Sequence, residues 1–517
     1  MTTFKNPIIP GFYPDPSICR VGDDYFLVTS SFEYFPGIPI FHSKDLVNWR
    51  QIGHVLDRPS QLDLDSTPNS KGIYAATIRY HNGIFYVITT FVESQTGARR
   101  NFFVTAEKPD GPWSEPYWLM DCPGIDSSLF FDEDGKVYVT ANRRPPGGQL
   151  YPKHMEIWLQ ELDLDTKQLT GDKYSLWDGA LKNIHAQEAP HIYKVDGMYY
   201  LIIAEGGTGF THSITVARSK SITGPYEGAK TNPILTHRHL GREYPITNVG
   251  HGDIVDTVNG EWWMVCLGTR PYGGAYRNLG RETFLVSLKW EEGWPVINPG
   301  KGIVETEGKK PNLPEKKWPS LPACDHFDTS ELGMHWNFIR TPRGDFWSLK
   351  ERPGYLRLRL KPVTLTENAN PAFVGLRQRD INFAARTKME FSPKHEFEVA
   401  GLILLQNADF QYRVERVQSE LRLIKREAGK EEAIAIRPYE QKEIYFKVEA
   451  SGQSYNFYIA SKAEQWEILK ENVDGRILSS DFAGGFTGAY LGLYASSNGH
   501  ESSNFADFDY FEYINLE

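Results

Sequence analysis

The hydrophobic positions of this chain form short runs, and polar turn residues separate these runs at a regular spacing. Five turns are predicted at 23–24, 82–83, 134–135, 196–197 and 259–260, and four of them read Asn-Gly or Asp-Gly. An aromatic or β-branched strand follows each turn, as in Phe85-Tyr86-Val87-Ile88. Such turns between apolar strands indicate tight β-hairpins. Five units of about 50 to 60 residues predict a five-bladed β-propeller, because the repeats of a β-helix are much shorter.

A second regularity places one chemically distinctive residue in every repeat. The residues eight positions before the five turns are Asp15, Tyr74, Asp126, Glu188 and His251. The first strand of each propeller blade lines the central axis, so we expect equivalent positions to converge on one pocket. Three carboxyls in one pocket repel each other, which favours a functional interpretation. Taken singly, His251 could be a buried hydrogen-bonded histidine and Tyr74 a packing residue.

The pattern changes after residue 300. Residues 301–322 are rich in Lys and Pro and lack alternation, which is typical of a linker. Beyond them, Leu356, Leu358 and Leu360 alternate with basic residues, as in a strand with one solvated face. Further strands are predicted at 397–406, 412–417, 444–449, 455–460 and 505–513. The chain is therefore expected to be all-β, with a five-bladed β-propeller over 1–300, a linker over 301–322 and a β-sandwich over 323–517.

Composition and charge narrow the classes of partner. The net charge is −10, from 56 Lys and Arg against 66 Asp and Glu, which disfavours nucleic acid. No stretch approaches the ~18–20 apolar residues of a membrane span. The chain has 13 Trp and 27 Tyr, which are suited to stacking on sugars. Its four cysteines form no C-x-x-C pair and its N-terminus has no signal pattern, so we expect a cytoplasmic protein with reduced thiols.

Several short motifs are similar to those of a known enzyme family. Gly-Phe-Tyr-Pro-Asp-Pro-Ser stands at 11–17, His-Ser-Lys-Asp-Leu-Val-Asn-Trp at 42–49, Asp-Ser-Ser-Leu-Phe at 126–130 and Glu-Ala-Pro-His-Ile-Tyr at 188–193. These motifs resemble glycoside hydrolase family 43, in particular its β-xylosidase and α-L-arabinofuranosidase type with a C-terminal concanavalin-like sandwich. The resemblance covers nearly the whole chain. It implies a five-bladed propeller and an inverting mechanism.

The resemblance also implies roles for single residues. Asp15 matches the general base, Glu188 the general acid, and Asp126 the acid that tunes and orients Glu188. The residues expected to bind substrate are Phe32, Tyr74, His251, Arg281 and Phe486.

Phe486 lies between glycines, which suits a sandwich loop that presents an aromatic side chain to the pocket; packing within the sandwich core is the alternative. The resemblance implies no required cofactor. A calcium ion in the propeller channel is the one candidate, with His251 contacting it through water. Two departures from the family pattern are Tyr74-Ala75-Ala76 in place of Trp-Ala-Pro, and Ala189 where Gly is frequent.

The predicted function is an exo-acting inverting glycosidase. It would release β-D-xylose from the non-reducing ends of xylo-oligosaccharides or arabinoxylo-oligosaccharides and also act as an α-L-arabinofuranosidase. The alternatives are a mainly α-L-arabinofuranosidase activity and a non-catalytic sugar-binding propeller. A fructan-cleaving enzyme would carry an Asn-Asp-Pro motif, whereas residues 13–16 read Tyr-Pro-Asp-Pro. A homo-oligomer is compatible with the sequence.

Overall fold

The computed structural model describes residues 3–93 and 97–516 and is almost entirely β-structure. It confirms the all-β prediction, because five four-stranded antiparallel sheets are followed by two larger sheets. In the described part of the chain the helical segments are two 3-10 turns and one short α-helix, at Arg238–Leu240, Gly475–Leu478 and Ser480–Ala483. No helix among these residues is long and apolar enough to cross a membrane.

Each of the five small sheets is one propeller blade, and its strands follow chain order from the axis outward. The innermost strands of neighbouring blades contact each other in a ring. Blade 1 consists of Ser17–Val21, Asp24–Val28, Gly37–Ser43 and Arg50–Leu56; blade 2 of Gly72–His81, Ile84–Val92, Arg99–Ala106 and Tyr117–Trp118; blade 3 of Ser128–Phe131, Val137–Arg143, Glu156–Asp163 and Gln168–Trp177; blade 4 of Glu188–Val195, Met198–Glu205, Ser213–Ser219 and Glu227–Gly228; and blade 5 of Thr247–Asp256, Trp262–Thr269, Glu282–Glu291 and Trp294–Ile297.

The hairpin that joins the two inner strands differs between blades. Two-residue turns occur in blades 1, 2 and 4, where the strand ends pair directly across them. In blade 1 the turn is 22–23 and not the predicted 23–24, because Gly22 takes the left-handed conformation (φ 60°) and Asp24 already pairs with Val21. Blades 3 and 5 have five-residue loops instead of the predicted two-residue turns.

The N-terminal segment is tied to blade 5 and to the segment predicted as a linker. Thr3–Lys5 pairs with Glu307–Lys309, so part of 301–322 is a short strand. The Asn6 side chain donates to the carbonyl oxygens of Leu285 and Glu305, both at 2.9 Å, and accepts from the Leu285 N–H at 2.9 Å. One amide side chain thus joins three segments that are distant in sequence.

The C-terminal domain is a sandwich of two antiparallel sheets. The first sheet contains, in spatial order, Trp347–Ser348, Leu356–Arg359, Phe505–Asn515, Phe383–Glu390, Glu443–Ser451, Ser454–Ala460 and Glu467–Asp474, with Cys324–Asp325 also paired to Phe505–Asn515. The second contains Ala372–Arg377, Tyr490–Ser496, Val399–Asn407, Phe410–Val417, Glu420–Glu427 and Lys430–Pro438. Alternation along these strands buries residues such as Leu356 and Leu358 between the sheets.

A strand pair and an aromatic stack join the two domains. Tyr34–Phe35 of the propeller pairs with Phe338–Ile339 of the C-terminal part. The rings of Tyr34 and Tyr490 stack with centroids 3.9 Å apart. Both tyrosines are fully buried, so this contact removes a large apolar area from water.

A close backbone approach joins the sandwich to blade 5. A Cβ atom on Gly488 would lie 2.7 Å from the Leu279 carbonyl oxygen, so only glycine fits there. The next residue, Ala489, donates its N–H to the Asn278 carbonyl oxygen at 2.8 Å. The sandwich loop before Tyr490 is therefore fixed against the propeller loop that precedes Arg281.

We expect Asn6→Ala to destabilise the folded protein by about 2 kcal/mol, because it removes three hydrogen bonds from partly buried groups. Chemical unfolding measures this change. The control is Asn312→Ala, an exposed asparagine of the 301–322 segment. Equal effects of the two substitutions would contradict the importance of the Asn6 contacts.

Candidate active site

The five residues that share the repeat position lie in one pocket. Asp15, Tyr74, Asp126, Glu188 and His251 all line one small cavity of about 80 Å³. They stand together because each lies in or just before the innermost strand of its blade. The other lining residues are Phe32, Ala75, Ile125, Thr208, His212, Leu267, Arg281 and Phe486. The pocket therefore contains every residue predicted from the sequence.

Asp15 is buried among positive charge and hydrogen-bond donors. Arg281 Nη1 donates to Asp15 Oδ1 at 2.7 Å, and the Ser30 hydroxyl donates to Oδ2. His251 Nδ1 lies 3.6 Å from Oδ1. Burial by itself raises the pKa of Asp15, but Arg281, His251 and Ser30 outweigh it and hold the pKa below its usual value. Asp15 is therefore ionised at neutral pH.

The surroundings of Glu188 shift its pKa in the opposite direction. Burial raises its pKa, and the negative charges of Asp126 and Asp15 raise it further, to well above its usual range. Burial also raises the pKa of Asp126 to about 6, although His251 and the Ala189 N–H lower it. One pocket thus holds a carboxyl that stays ionised and another that keeps its proton.

Three aromatic rings form one wall of the pocket. The Phe32 ring lies 5.2 Å from that of Tyr74 and 5.9 Å from that of Phe486, measured between centroids. The Arg281 guanidinium carbon lies 5.4 Å from the Phe32 centroid and 5.6 Å from that of Phe486. The arginine that pairs with Asp15 is therefore also held by the aromatic wall.

Phe486 belongs to the sandwich domain but lines the propeller pocket. It lies in the loop before Tyr490–Ser496 and not within the strand. Its N–H donates to the Ser70 hydroxyl oxygen at 2.9 Å, and the Ser70 N–H donates to Glu33 Oε2 at 3.0 Å. Glu33 is buried next to Phe32, so a chain of hydrogen bonds links two of the three aromatic residues.

Comparison with known proteins agrees with this geometry. Residues 4–295 match the glycosyl hydrolases family 43, and residues 324–514 match the beta xylosidase C-terminal concanavalin A-like domain. The chain belongs to glycoside hydrolase family 43. The resemblance drawn from the motifs is confirmed, and the protein is a glycosidase.

The similarity to individual family 43 proteins extends over the full length. A xylosidase/arabinosidase of Butyrivibrio fibrisolvens is 46% identical over 99% of each chain. A non-reducing end alpha-L-arabinofuranosidase of Bacteroides ovatus is 41% identical over 100% of this chain and 95% of the other. The crystal structure of a xylan beta-1,4-xylosidase from Bacillus halodurans C-125 has a TM-score of 0.94 at 36% identity, covering 99% of this chain and 100% of that one.

Several pocket residues of this family 43 enzyme escaped the sequence analysis. Ser30 binds Asp15, Thr208 accepts from Arg281 Nη1 at 3.2 Å, and His212 is a buried pocket residue whose pKa burial lowers to about 3. None of them stands at the repeat position. Ser30 follows an inner strand of blade 1, and Thr208 and His212 lie in the loop before a third strand, where the repeat pattern carries no signal.

A second buried network lies along the innermost strands. Asp253 accepts hydrogen bonds from Ser17 Oγ at 2.6 Å, from Arg79 Nη1 at 2.9 Å and from the Tyr193 hydroxyl. Arg79 Nη2 also donates to His191 Nδ1 at 3.0 Å. Burial raises the pKa of Asp253, but the Arg79 charge reverses the shift and keeps the carboxylate ionised. This network joins strands of blades 1, 2, 4 and 5.

The carboxyl groups nearest to His251 are not free to ligate the calcium ion that the family resemblance raised as a candidate, so its contact with His251 through water stays a prediction. Calcium prefers six to eight oxygen ligands. Asp15 is paired with Arg281, and Asp253 is saturated by Arg79 and two hydroxyl donors. Within residues 3–93 and 97–516, no three His, Cys, Asp or Glu side chains are grouped so that they could hold a metal.

The alanine at position 189, where the family frequently has glycine, adopts an unusual backbone conformation. Ala189 adopts φ 53°, the left-handed region that only glycine enters without strain. In this conformation the Ala189 N–H forms a hydrogen bond with the Asp126 carboxylate. The frequency of glycine after the acid in the family thus has a steric reason, and this chain tolerates an alanine there.

We expect Ala189→Gly to be less destabilising than Ala141→Gly by about 1 to 2 kcal/mol. Both alanines are buried and each substitution removes one methyl group, but only Ala189 has a positive φ. Chemical unfolding of the two variants gives the difference. If both substitutions cost the same, the left-handed conformation at Ala189 carries no strain.

Proposed function

We propose that this family 43 glycosidase is an exo-acting, inverting β-xylosidase that also removes α-L-arabinofuranosyl groups. The observation that carries the proposal is the opposite pKa shift of Asp15 and Glu188 inside one pocket. An inverting hydrolysis needs one ionised carboxylate as base and one protonated carboxyl as acid. We infer that Asp15 is the base and Glu188 the acid.

In this mechanism a water molecule attacks the anomeric carbon from the side of Asp15. The Asp15 carboxylate takes a proton from the water as the new C–O bond forms. Glu188 gives its proton to the glycosidic oxygen as the bond to the leaving group breaks, and the released sugar has the inverted configuration. Exchange of protons with solvent restores both residues.

Asp126 and Arg281 support this division of roles. The charge of Asp126 raises the pKa of Glu188 and so keeps the acid protonated at higher pH. Arg281 lowers the pKa of Asp15 and has a further donor interaction with Thr208. We infer that Arg281 also orients sugar hydroxyls, since its guanidinium lines the pocket.

The shape of the pocket favours action on chain ends. Phe32, Tyr74 and Phe486 close one side with aromatic rings, and the sandwich supplies the last of these. A pocket that accommodates one terminal sugar excludes the middle of a polysaccharide. We infer that xylo-oligosaccharides and arabinoxylo-oligosaccharides bind with their non-reducing ends in this pocket.

The names of similar proteins support activity on both β-D-xylosyl and α-L-arabinofuranosyl groups. The similar proteins include a xylosidase/arabinosidase, a non-reducing end alpha-L-arabinofuranosidase and a xylan beta-1,4-xylosidase. The mainly arabinofuranosidase alternative differs from our proposal in the ratio of the two rates. A non-catalytic sugar-binding propeller would not need the acid and base of opposite protonation that this pocket contains.

We expect the enzyme to hydrolyse both an aryl β-D-xyloside and the matched aryl α-L-arabinofuranoside, with faster turnover of the xyloside. Initial rates on the two substrates test the preference. Proton NMR of the first sugar released from the xyloside should show the α-anomer, because attack by water inverts the centre. An initial β-anomer would overturn the assignment of Asp15 as a base, and no hydrolysis of either glycoside would favour the binding protein.

The pH profile of kcat/KM should be bell-shaped. The acid limb follows protonation of Asp15, whose pKa is lowered, and the alkaline limb follows deprotonation of Glu188, whose pKa is raised. Asp126→Asn removes a negative charge next to Glu188 and so lowers the pKa of that acid. We expect the alkaline limb to move to lower pH by about one pH unit, with the acid limb nearly unchanged. The control, Asp134→Asn in the hairpin at the opposite end of blade 3, should leave both limbs in place.

Phe486→Ala should raise KM for short substrates about 5- to 10-fold and change the melting temperature little, because the ring lines the pocket and is only partly buried. Phe482→Ala is the matched control, since that exposed ring lies on the preceding helix. A fall in melting temperature with unchanged KM would show that Phe486 is a packing residue.

A further inference from the structure

A second cleft opens on the far side of Glu188. It shares Glu188 and Ile125 with the catalytic pocket, so the two spaces meet at the proposed acid. Since Glu188 would donate its proton to the leaving oxygen, the group that departs must lie on this side. The cleft is therefore the natural place for the remainder of the substrate.

The side chains that line this cleft are strongly basic. Four cations line it: Arg99, Arg143, Arg144 and Lys153. The only acidic side chain in its lining is Glu188 itself. Beyond Arg99 the surface continues into a groove that Arg100 and Lys173 also line. This concentration of positive charge contrasts with the net charge of −10 of the whole chain.

Most of this charge has no internal partner. Arg143 pairs with Glu156 at 2.7 Å. Arg99, Arg144 and Lys153, by contrast, are exposed, and within the described ranges 3–93 and 97–516 no carboxylate forms an ion pair with them. Three cations that face one cleft repel each other, so an anion bound there would relieve this repulsion.

The loop that carries two of these cations is fixed relative to Glu188. The Ala186 N–H donates to the Lys153 carbonyl oxygen at 3.1 Å, and the Met155 N–H donates to Gln187 Oε1 at 2.9 Å. Gln187 Nε2 in turn donates to the Tyr151 hydroxyl at 3.0 Å. These bonds hold the 144–155 loop to the residues directly before the acid.

We propose that the cleft is a leaving-group subsite for oligosaccharides that carry a carboxylate, such as xylo-oligosaccharides substituted with a uronic acid. Arg144 and Lys153 bind the carboxylate from one side, and Arg99 approaches from blade 2. The neutral sugar ring that is released stays in the catalytic pocket, while the acidic remainder lies in the basic cleft. This inference rests on the proposed function for the identity of the terminal sugar.

The test compares two branched tetrasaccharides that differ in the charge of one substituent. One is xylotriose with a glucuronic acid on its central residue, and the other carries glucose at the same place, so that a CH₂OH group replaces the carboxylate. We expect kcat/KM for the acidic compound to exceed that for the neutral compound about fivefold at low salt, and the ratio to approach one at high salt.

The double variant Arg144→Gln/Lys153→Gln should lower this acidic-to-neutral ratio about 3- to 5-fold, to a value near one. The double variant Lys220→Gln/Lys309→Gln removes the same charge from exposed residues that do not line the cleft, and its ratio should equal that of the unmodified enzyme. A ratio near one in the unmodified enzyme, or an equal loss in both double variants, would overturn the proposal.

Calorimetric binding of both tetrasaccharides to Glu188→Gln measures the same preference without turnover. Failure of the proposed function would abolish hydrolysis of simple aryl glycosides but leave this binding preference measurable. Failure of the present inference would leave aryl glycoside hydrolysis intact and give equal affinities for the two tetrasaccharides.

Discussion

Three carboxyl groups face one pocket in which Arg281 is the single arginine among the described lining residues, and this imbalance of charge governs the site. Arg281 pairs with Asp15 at 2.7 Å and so fixes which carboxyl is ionised. Glu188 then experiences two negative neighbours and keeps its proton. Arg281 also lies against the rings of Phe32 and Phe486. The residue that keeps Asp15 ionised therefore also packs against the aromatic wall of the pocket.

The two domains share the construction of this pocket. The loop with Phe486 reaches the propeller only because Gly488 allows the backbones to approach and because Ser70 accepts the Phe486 N–H. The loop that precedes Arg281 is held by the same contact, through Asn278 and Ala489. A propeller without its sandwich would thus lose one of the three rings of the aromatic wall and one support of its arginine.

The site also depends on backbone conformations that ordinary residues avoid. Asp15, Phe32, Asp126, Ala189 and His251 all have φ between 47° and 58°. Each such conformation costs on the order of 1 to 3 kcal/mol and persists only where the surrounding structure determines it. Here the strands of the blades and the buried Arg79–Asp253 pair provide that constraint, since they connect the innermost strands beside the pocket.

The repeat, the all-β class and the five residues at the repeat position could be predicted from the sequence, because strand alternation and turn chemistry are local properties. The sequence also indicated Arg281 and Phe486 through motif resemblance. The contact of Ser30 with Asp15, the place of Thr208 and His212 in the pocket and the Arg79–Asp253 pair emerge only from the folded chain, because these contacts connect residues outside the common repeat position. The basic cleft could not be predicted from a chain of net charge −10. Arg99, Arg144 and Lys153 come from two blades and lie close together only in the folded propeller.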